Sequence, residues 1–214
     1  ISFGAHLYNR SQGLPNPRSC GFKSWVYNLI IENIKYEKSQ LRANALKNMR
    51  LIKPLEKSFY EKKLKEMNLS FLGSSQTIGG YYPINNELNI LPLLQFLSSI
   101  GHKIALPCIT ERKILDFRIW NMKDSLVMNR YKIYEPVDGL LSIPEIVLVP
   151  GLLFDKSLYR LGYGGGFYDR TIQHHRKKDN TKFIGICYPA QIISKLPRAE
   201  HDQRLDFLVN LDEI

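Results

Sequence analysis

The residues best suited to chemistry lie between Arg160 and Arg170, in the run Arg-Leu-Gly-Tyr-Gly-Gly-Gly-Phe-Tyr-Asp-Arg. Four of the five residues from Gly162 to Gly166 are glycine. Glycine lets the backbone approach a ligand closely, and successive bare N–H groups beside a helix start form an anion-binding concavity. Arg160 and Arg170 add positive charge at the two ends, and Asp169 adds a hard oxygen ligand. Together these are the parts of a site for phosphate and Mg2+. A tight strand-to-helix turn with no ligand has a similar composition. The run is neither G-x-x-x-x-G-K-[ST] nor G-x-G-x-x-G, so neither a P-loop nor a dinucleotide fingerprint is present.

These residues need elements to hold them. Ile146 to Val149 is a continuous apolar run that reads as a buried strand feeding the loop, and a helix opens near Phe167 and covers 168–178. Upstream, a helix is expected from Glu32 to Ile52, with Leu41, Ala45, Met49 and Ile52 as its buried stripe. Lys38 and Arg42, four apart, share a neighbouring face, where such cations are commonly solvated. A second helix covers 54–68, with Tyr60, Leu64 and Met67 on one stripe, and Thr77–Ile84 reads as a strand. A third helix spans 89–100, with Pro92 tolerable in its first turn and Gly101 closing it. Further strands are expected at 103–109, 114–120, 182–188 and 207–210, with short segments at 126–128 and 131–135 and a helix or turn at 189–197.

Strands that are apolar on both faces and alternate with helices predict an α/β fold. It is a three-layer single domain, a mainly parallel sheet with helices on both faces. Ligands of such sheets sit beyond the carboxyl ends of strands, which is where the glycine run falls.

The chain has 214 residues and a formal net charge of +10. That length supports one sizeable core, and that charge favours anionic partners. Cys20, Cys108 and Cys187 form no C-x-x-C pair, which suits a reducing compartment and suggests no zinc site. No apolar run is long enough to span a membrane. Residues 1–31 lack Asp and Glu and carry Arg10, Arg18, Lys23, Pro15 and Pro17. Residues 1–33 therefore read as a weakly packed extension, either a transit segment or a start-site artefact, ahead of a catalytic domain at 34–214.

The motifs resemble those of the 5-formyltetrahydrofolate cyclo-ligase (5,10-methenyltetrahydrofolate synthetase) family. The resemblance rests on Pro150-Gly151, Phe154-Asp155 and the run from Arg160 to Arg170. Four further pieces agree in order: Lys38-x-x-Leu41-Arg42, the segment Tyr82 to Glu87, Glu135-Pro136, and Gln191 with Leu196-Pro197 and Glu200-His201-Asp202. Together they cover about residues 34–214.

The resemblance implies ATP-dependent cyclisation of 5-formyltetrahydrofolate to 5,10-methenyltetrahydrofolate. The formyl oxygen is phosphorylated, ADP and phosphate are released, and Mg2+ is the cofactor. It also implies the roles. Lys38 and Arg160 are the catalytic cations. They bind ATP together with Arg42, Leu161, Gly162, Tyr163, Gly164, Gly165, Gly166, Phe167 and Tyr168. Tyr82, Glu87, Trp120, Tyr163 and Phe167 contact folate, and Asp169 and Asp202 hold the metal.

Plainer roles exist for several of these residues. Asp169 suits a helix start, Asp202 a turn, and Glu87 the capping region of the third helix. His201 suits acid–base work that this reaction does not require, and His174 to Lys178 reads as a solvated helix end. Two departures stand out. Leu158 replaces the family's usual glycine, so a differently shaped turn is expected, and no basic residue stands at Tyr163 or Gly165. The competing functions are a basic nucleic-acid-binding protein, which would lack RNP-like aromatics, helix-turn-helix and zinc spacing, and an ATP-binding homologue without folate turnover. The expected partners are ATP and 5-formyltetrahydrofolate, the latter with or without a polyglutamate tail. No nucleic acid or membrane partner is expected. The expected state is a monomer in the cytoplasm, or in the mitochondrion if the leader is a transit segment.

Overall fold

The computed structural model describes residues 20–66 and 76–212. The first helix, α1, runs from Cys20 to Leu51 and so begins twelve residues before the expected start. No proline stands between Arg18 and Lys53, so nothing local stops the helix from extending back. It ends where Lys53 precedes Pro54, a residue pair that disfavours helical backbone. The expectation of a loosely packed leader falls, for residues 1–19, outside the described residues.

α2 (Pro54–Glu66) buries Leu64 completely, and Met67 of its expected stripe lies outside the described residues. β1 is only Thr77–Gly79, shorter than the strand expected over 77–84. Gly80 still donates to Ala105 O (2.8 Å), but a side chain there would strike Leu94 of α3 (Leu91–Ser99) at 2.6 Å. Past Gly80 the chain leaves the sheet at the carboxyl end of β1, with Tyr81 buried in the core and Tyr82 half-buried.

The main sheet has seven strands in the order β12-β10-β7-β1-β2-β3-β6. These are β2 (Lys103–Ile109), β3 (Leu115–Ile119), β6 (Leu141–Ser142), β7 (Ile146–Val149), β10 (Lys182–Cys187) and β12 (Phe207–Asn210), with β1 at the centre. β12, β10, β7, β1 and β2 pair in parallel, and β3 and β6 add antiparallel ladders at one edge. Strand alternation divides the core into two layers. Ile146, Leu148, Ile184 and Ile186 face α2 and α3, while Val147, Val149, Phe183 and Cys187 face α4 (Phe167–His175). Helices cover both faces, as expected of a mainly parallel sheet.

Two smaller sheets stand apart. The short segments expected at 126–128 and 131–135 pair as a hairpin of β4 (Leu126–Met128) and β5 (Tyr134–Pro136), whereas the three-stranded sheet of β8 (Leu153–Asp155), β9 (Arg160–Leu161) and β11 (Ile192–Ile193) was not foreseen. Ala45 and Met49 of α1 pack on Leu152, Leu153, Leu161 and Leu196 of that second sheet. This packing sets α1 beside the glycine run. Leu158, in the turn between β8 and β9, sits at φ 69°, in the left-handed region that favours glycine.

Candidate active site at the glycine run

A cavity of about 450 Å³ lies at the carboxyl ends of β1, β2 and β7. Strand order reverses there: the chain moves from β1 to β2 on one side and returns to β7, β10 and β12 on the other. Such a reversal leaves a crevice between neighbouring strand ends. The glycine run forms one wall and the segment Tyr81–Glu87 the other. α1, the β4–β5 hairpin and the loop at Asp202 close the remaining sides.

The glycine run owes its course to backbone freedom at two points. Gly164 has φ +100° and Gly166 φ +68°, and Gly166 is the N-cap of α4, with no side chain satisfying the cap. Phe167, Tyr168 and Asp169, in the first turn of α4, line the cavity, and their N–H groups have no partner within the helix.

Positive side chains from distant elements converge on this run. Arg42 Nε donates to Gly162 O at 2.9 Å. Arg160, nearly buried, donates from Nη2 to Asp169 Oδ2 at 3.2 Å and lies over the Tyr168 ring at 5.1 Å. Its Nε is buried without a partner. Lys38, also buried, pairs with Asp202 Oδ2, which accepts Ala199 N at 2.7 Å as well. Asp169 Oδ1 accepts Gln203 N at 3.1 Å. Arg160 and Lys38 are thus each paired with a carboxylate, while Arg42 meets a backbone carbonyl. Among the described residues no cluster of three or more His, Cys, Asp and Glu side chains is present to enclose a metal.

The opposite wall is acidic and aromatic. Glu87 is buried, and desolvation pushes its carboxyl up to about 7, although the Ile84 N–H (3.0 Å) and the Tyr163 hydroxyl both favour the charged form. Glu87 does not cap the third helix, whose N-cap is Ile90. Burial likewise pushes the Tyr163 hydroxyl up to about 12, and the Tyr168 hydroxyl well above its usual value. Tyr82 lies against Tyr134 (4.9 Å between ring centres), and Phe167 meets Tyr131 edge-on (5.2 Å).

The cavity therefore gathers Lys38, Arg42, Tyr82, Glu87, Arg160, Leu161, Gly162, Tyr163, Gly164, Gly165, Gly166, Phe167, Tyr168, Asp169 and Asp202. Trp120 is the exception. It is buried in the core beneath α3, and its indole N–H donates to Asp124 O at 3.1 Å. β3 runs antiparallel to β2, so Leu115 opens at the cavity while Trp120 follows the far end, where its backbone N–H donates to Ile104 O. Its position corrects the expected stacking role. His201 lines the cavity, but its side chain is 80% exposed, too open to favour acid–base work. The run 174–178 is not uniformly solvated, since His175 is buried and pairs with Asp179 at 3.1 Å.

Sequence reasoning missed Tyr131, Ile133 and Asn85, which also line the cavity. The only signal was an aromatic residue in the polar turn Asn129–Lys132. Glu135, part of the Glu-Pro pair, accepts Ile109 N (3.2 Å) and Asn129 Nδ2 (3.1 Å), and so holds that hairpin over the site.

Comparison with known proteins agrees with this geometry. The family model described as "5-formyltetrahydrofolate cyclo-ligase family" matches residues 34–210. The 5-formyltetrahydrofolate cyclo-ligase of Escherichia coli K12 is 34% identical over 149 residues, covering 65% of this chain and 80% of that protein. The solution structure of the Aquifex aeolicus 5,10-methenyltetrahydrofolate synthetase superimposes with a TM-score of 0.70 at 27% identity, over 81% of this chain and 89% of that one. The Mycoplasma pneumoniae 5,10-methenyltetrahydrofolate synthetase shares the fold, with a TM-score of 0.64 at 24% identity, over 81% of this chain and 98% of that one. With the matched span running from α1 to the last strand, and so taking in every wall of the cavity, the chain belongs to the 5-formyltetrahydrofolate cyclo-ligase family.

Proposed function

We infer that the protein converts 5-formyltetrahydrofolate to 5,10-methenyltetrahydrofolate at the expense of ATP. The observation that carries this reading is the convergence of Lys38, Arg42 and Arg160 on a glycine run that faces a buried carboxylate, Glu87, across one cavity. A formyl group on nitrogen is amide-like, so its carbon is a weak electrophile and its oxygen a poor leaving group. Transfer of the γ-phosphoryl to that oxygen breaks the β–γ bond, releases ADP and leaves an iminium phosphate. The neighbouring nitrogen then attacks the formyl carbon and gives up its proton to solvent, and phosphate departs with the oxygen. Phosphoryl transfer asks the protein for alignment and charge neutralisation rather than covalent participation.

Lys38, Arg42 and Arg160 hold the phosphates, aided by the open N–H groups of α4. Glu87 accepts N–H groups of the pterin, and Tyr82, Tyr163 and Phe167 flank the substrate. Asp169 and Asp202 would hold Mg2+, which needs only one or two carboxylates when phosphate oxygens and water complete its shell. Bound there, the metal neutralises charge on the transferred phosphoryl group. Each carboxylate already faces a cation, and those cations would turn to phosphate oxygens when the nucleotide binds.

A monomer acting on free or polyglutamylated folate is the simplest assembly, with the catalytic domain at 34–214. Free thiols at Cys108 and Cys187 suit a reducing compartment such as the cytoplasm. Among the described residues no helix is long and apolar enough to cross a membrane.

The test is direct. Purified protein with ATP, Mg2+ and 5-formyltetrahydrofolate should raise the absorbance of the methenyl product, and a flat trace from folded protein refutes the reading. Asp169→Ala should abolish this turnover with the fold intact, and a near-normal rate would remove Asp169 from the metal site.

A further inference from the structure

The five residues from Gly162 to Gly166 carry a single side chain, that of Tyr163. It reaches the opposite wall of the cavity. Its hydroxyl accepts from Asn85 Nδ2 at 3.5 Å and favours the charged form of the Glu87 carboxyl, which lines the same cavity. Asn85 itself is held at φ 52°, a turn conformation that aims its amide across the gap. On the other flank Arg42 grips the same run through Gly162 O. The ring of Tyr163 is 40% exposed, so it spans an opening and is not buried in the core. No other residue of the run joins the nucleotide-facing and folate-facing walls through a side chain.

Glu87 is the sensitive end of this link. The groups that face it are the Ile84 N–H and the phenols of Tyr81, Tyr163 and Tyr168, all neutral near pH 7. Desolvation therefore holds it towards the neutral form, and hydrogen bonds to the charged form, with no neighbouring cation among the described residues, oppose that. A carboxylate accepts several hydrogen bonds at once, so Tyr163 and a substrate N–H can share it.

We propose that Tyr163 is a positioning residue that joins the nucleotide run to the folate wall, so that ATP on one side sets Glu87 and Asn85 for folate on the other. The inference rests on the function proposed above and adds a coupling between its two substrates. By linkage the coupling is reciprocal, and folate tightens ATP by the same factor.

Calorimetric titration tests it, using a non-hydrolysable ATP analogue with Mg2+ and 5-formyltetrahydrofolate, each alone and in the presence of the other. In the wild type each ligand should tighten the other by about 5-fold or more. In Tyr163→Phe, which keeps the ring, that factor should fall towards one. The pH at which folate affinity rises, near 7 in the wild type, should also move upward by roughly one pH unit, because the carboxylate loses a donor to its charged form. Glu87→Gln should abolish the pH midpoint altogether; a midpoint that persists belongs to another group and overturns the link between Tyr163 and Glu87, and an unshifted midpoint in Tyr163→Phe, as a purely structural role predicts, does the same. Unchanged coupling in Tyr163→Phe, or no coupling in the wild type that binds both ligands, overturns the proposal alone. A wild type that binds neither ligand overturns the proposal and the functional reading together.

Discussion

Arg160 offers a way to separate what the site contributes to folding from what it contributes to catalysis. The perturbation is Arg160→Met, which keeps length and removes charge. The side chains of Arg160 and Asp169 are 4% and 17% exposed, so the pair is largely desolvated. Removing one member of a buried pair costs about 3–5 kcal/mol because the other is left charged and unpaired. Asp169 keeps the Gln203 N–H and some water, which places the cost nearer ~2–3 kcal/mol. In a chain of this size 1 kcal/mol moves Tm by about 2–4 °C, so a fall of roughly 5–10 °C is expected.

Turnover should fall by about 10²–10³, the usual loss when one donor to a developing anion is removed. The double variant Arg160→Met with Asp169→Asn removes the stranded charge. It should recover most of the stability, with an interaction energy of ~2 kcal/mol, and none of the activity. Calorimetric melting and the methenyl absorbance assay read the two effects separately. A double variant as unstable as the single one refutes the pairing argument, and a single variant with near-normal kcat refutes the placement of Arg160 on the phosphates.

Glu87→Gln should be more stable than the wild type above neutral pH. The folded carboxyl titrates near 7 against 4.5 for the free group, so the folded state binds the extra proton between those values. Stability is therefore lost as pH rises through that window, by up to ~3 kcal/mol. Melting curves of both forms from pH 4 to 8 should diverge across it, and parallel curves would show that Glu87 is not desolvated. Leu158→Gly should change stability by less than about 1 kcal/mol. Release of ~1–2 kcal/mol of left-handed strain offsets the lost packing of a half-buried side chain and the added freedom of glycine in the unfolded chain. A loss of about 2–5 kcal/mol, as for a core Leu→Ala, would mean that Leu158 is held by packing alone and carries no strain.

The parts legible in the sequence were those with long-range periodicity or dense composition. β2, β7 and β10 announced themselves as apolar runs, and α3 by its stripe and its flanking Pro92 and Gly101. The glycine run was visible because four glycines in five residues, flanked by Arg160 and Arg170, stand out in composition, although a plain tight turn has the same signature. β8, β9 and β11 were not legible, since strands of two or three residues have no period to detect. Trp120 misled because residue type speaks of stacking whereas strand direction decides which end of the sheet a residue meets. The reversal at β3 is set by the turn at Thr110–Ile114, where Thr110 N and Oγ1 both engage Ile114 O. Tyr163 was foreseen as a contact, but its link to Asn85 and Glu87 depends on two segments about eighty residues apart being folded against each other.

The Lys38–Asp202 pair has a consequence for how the enzyme comes into being. The two residues are separated by 164 positions, one in the first helix and one just before the last strand. During synthesis α1 leaves the ribosome long before its counter-charge exists, so Lys38 stays hydrated while the sheet assembles. The cavity is therefore closed only after the Asp202 loop has emerged, well after the glycine run. A polypeptide arrested before Asp202 holds the glycine run, Arg42 and Arg160 yet lacks the partner of Lys38. Ligand-induced protection from proteolysis is then expected only once the Asp202 loop has met α1.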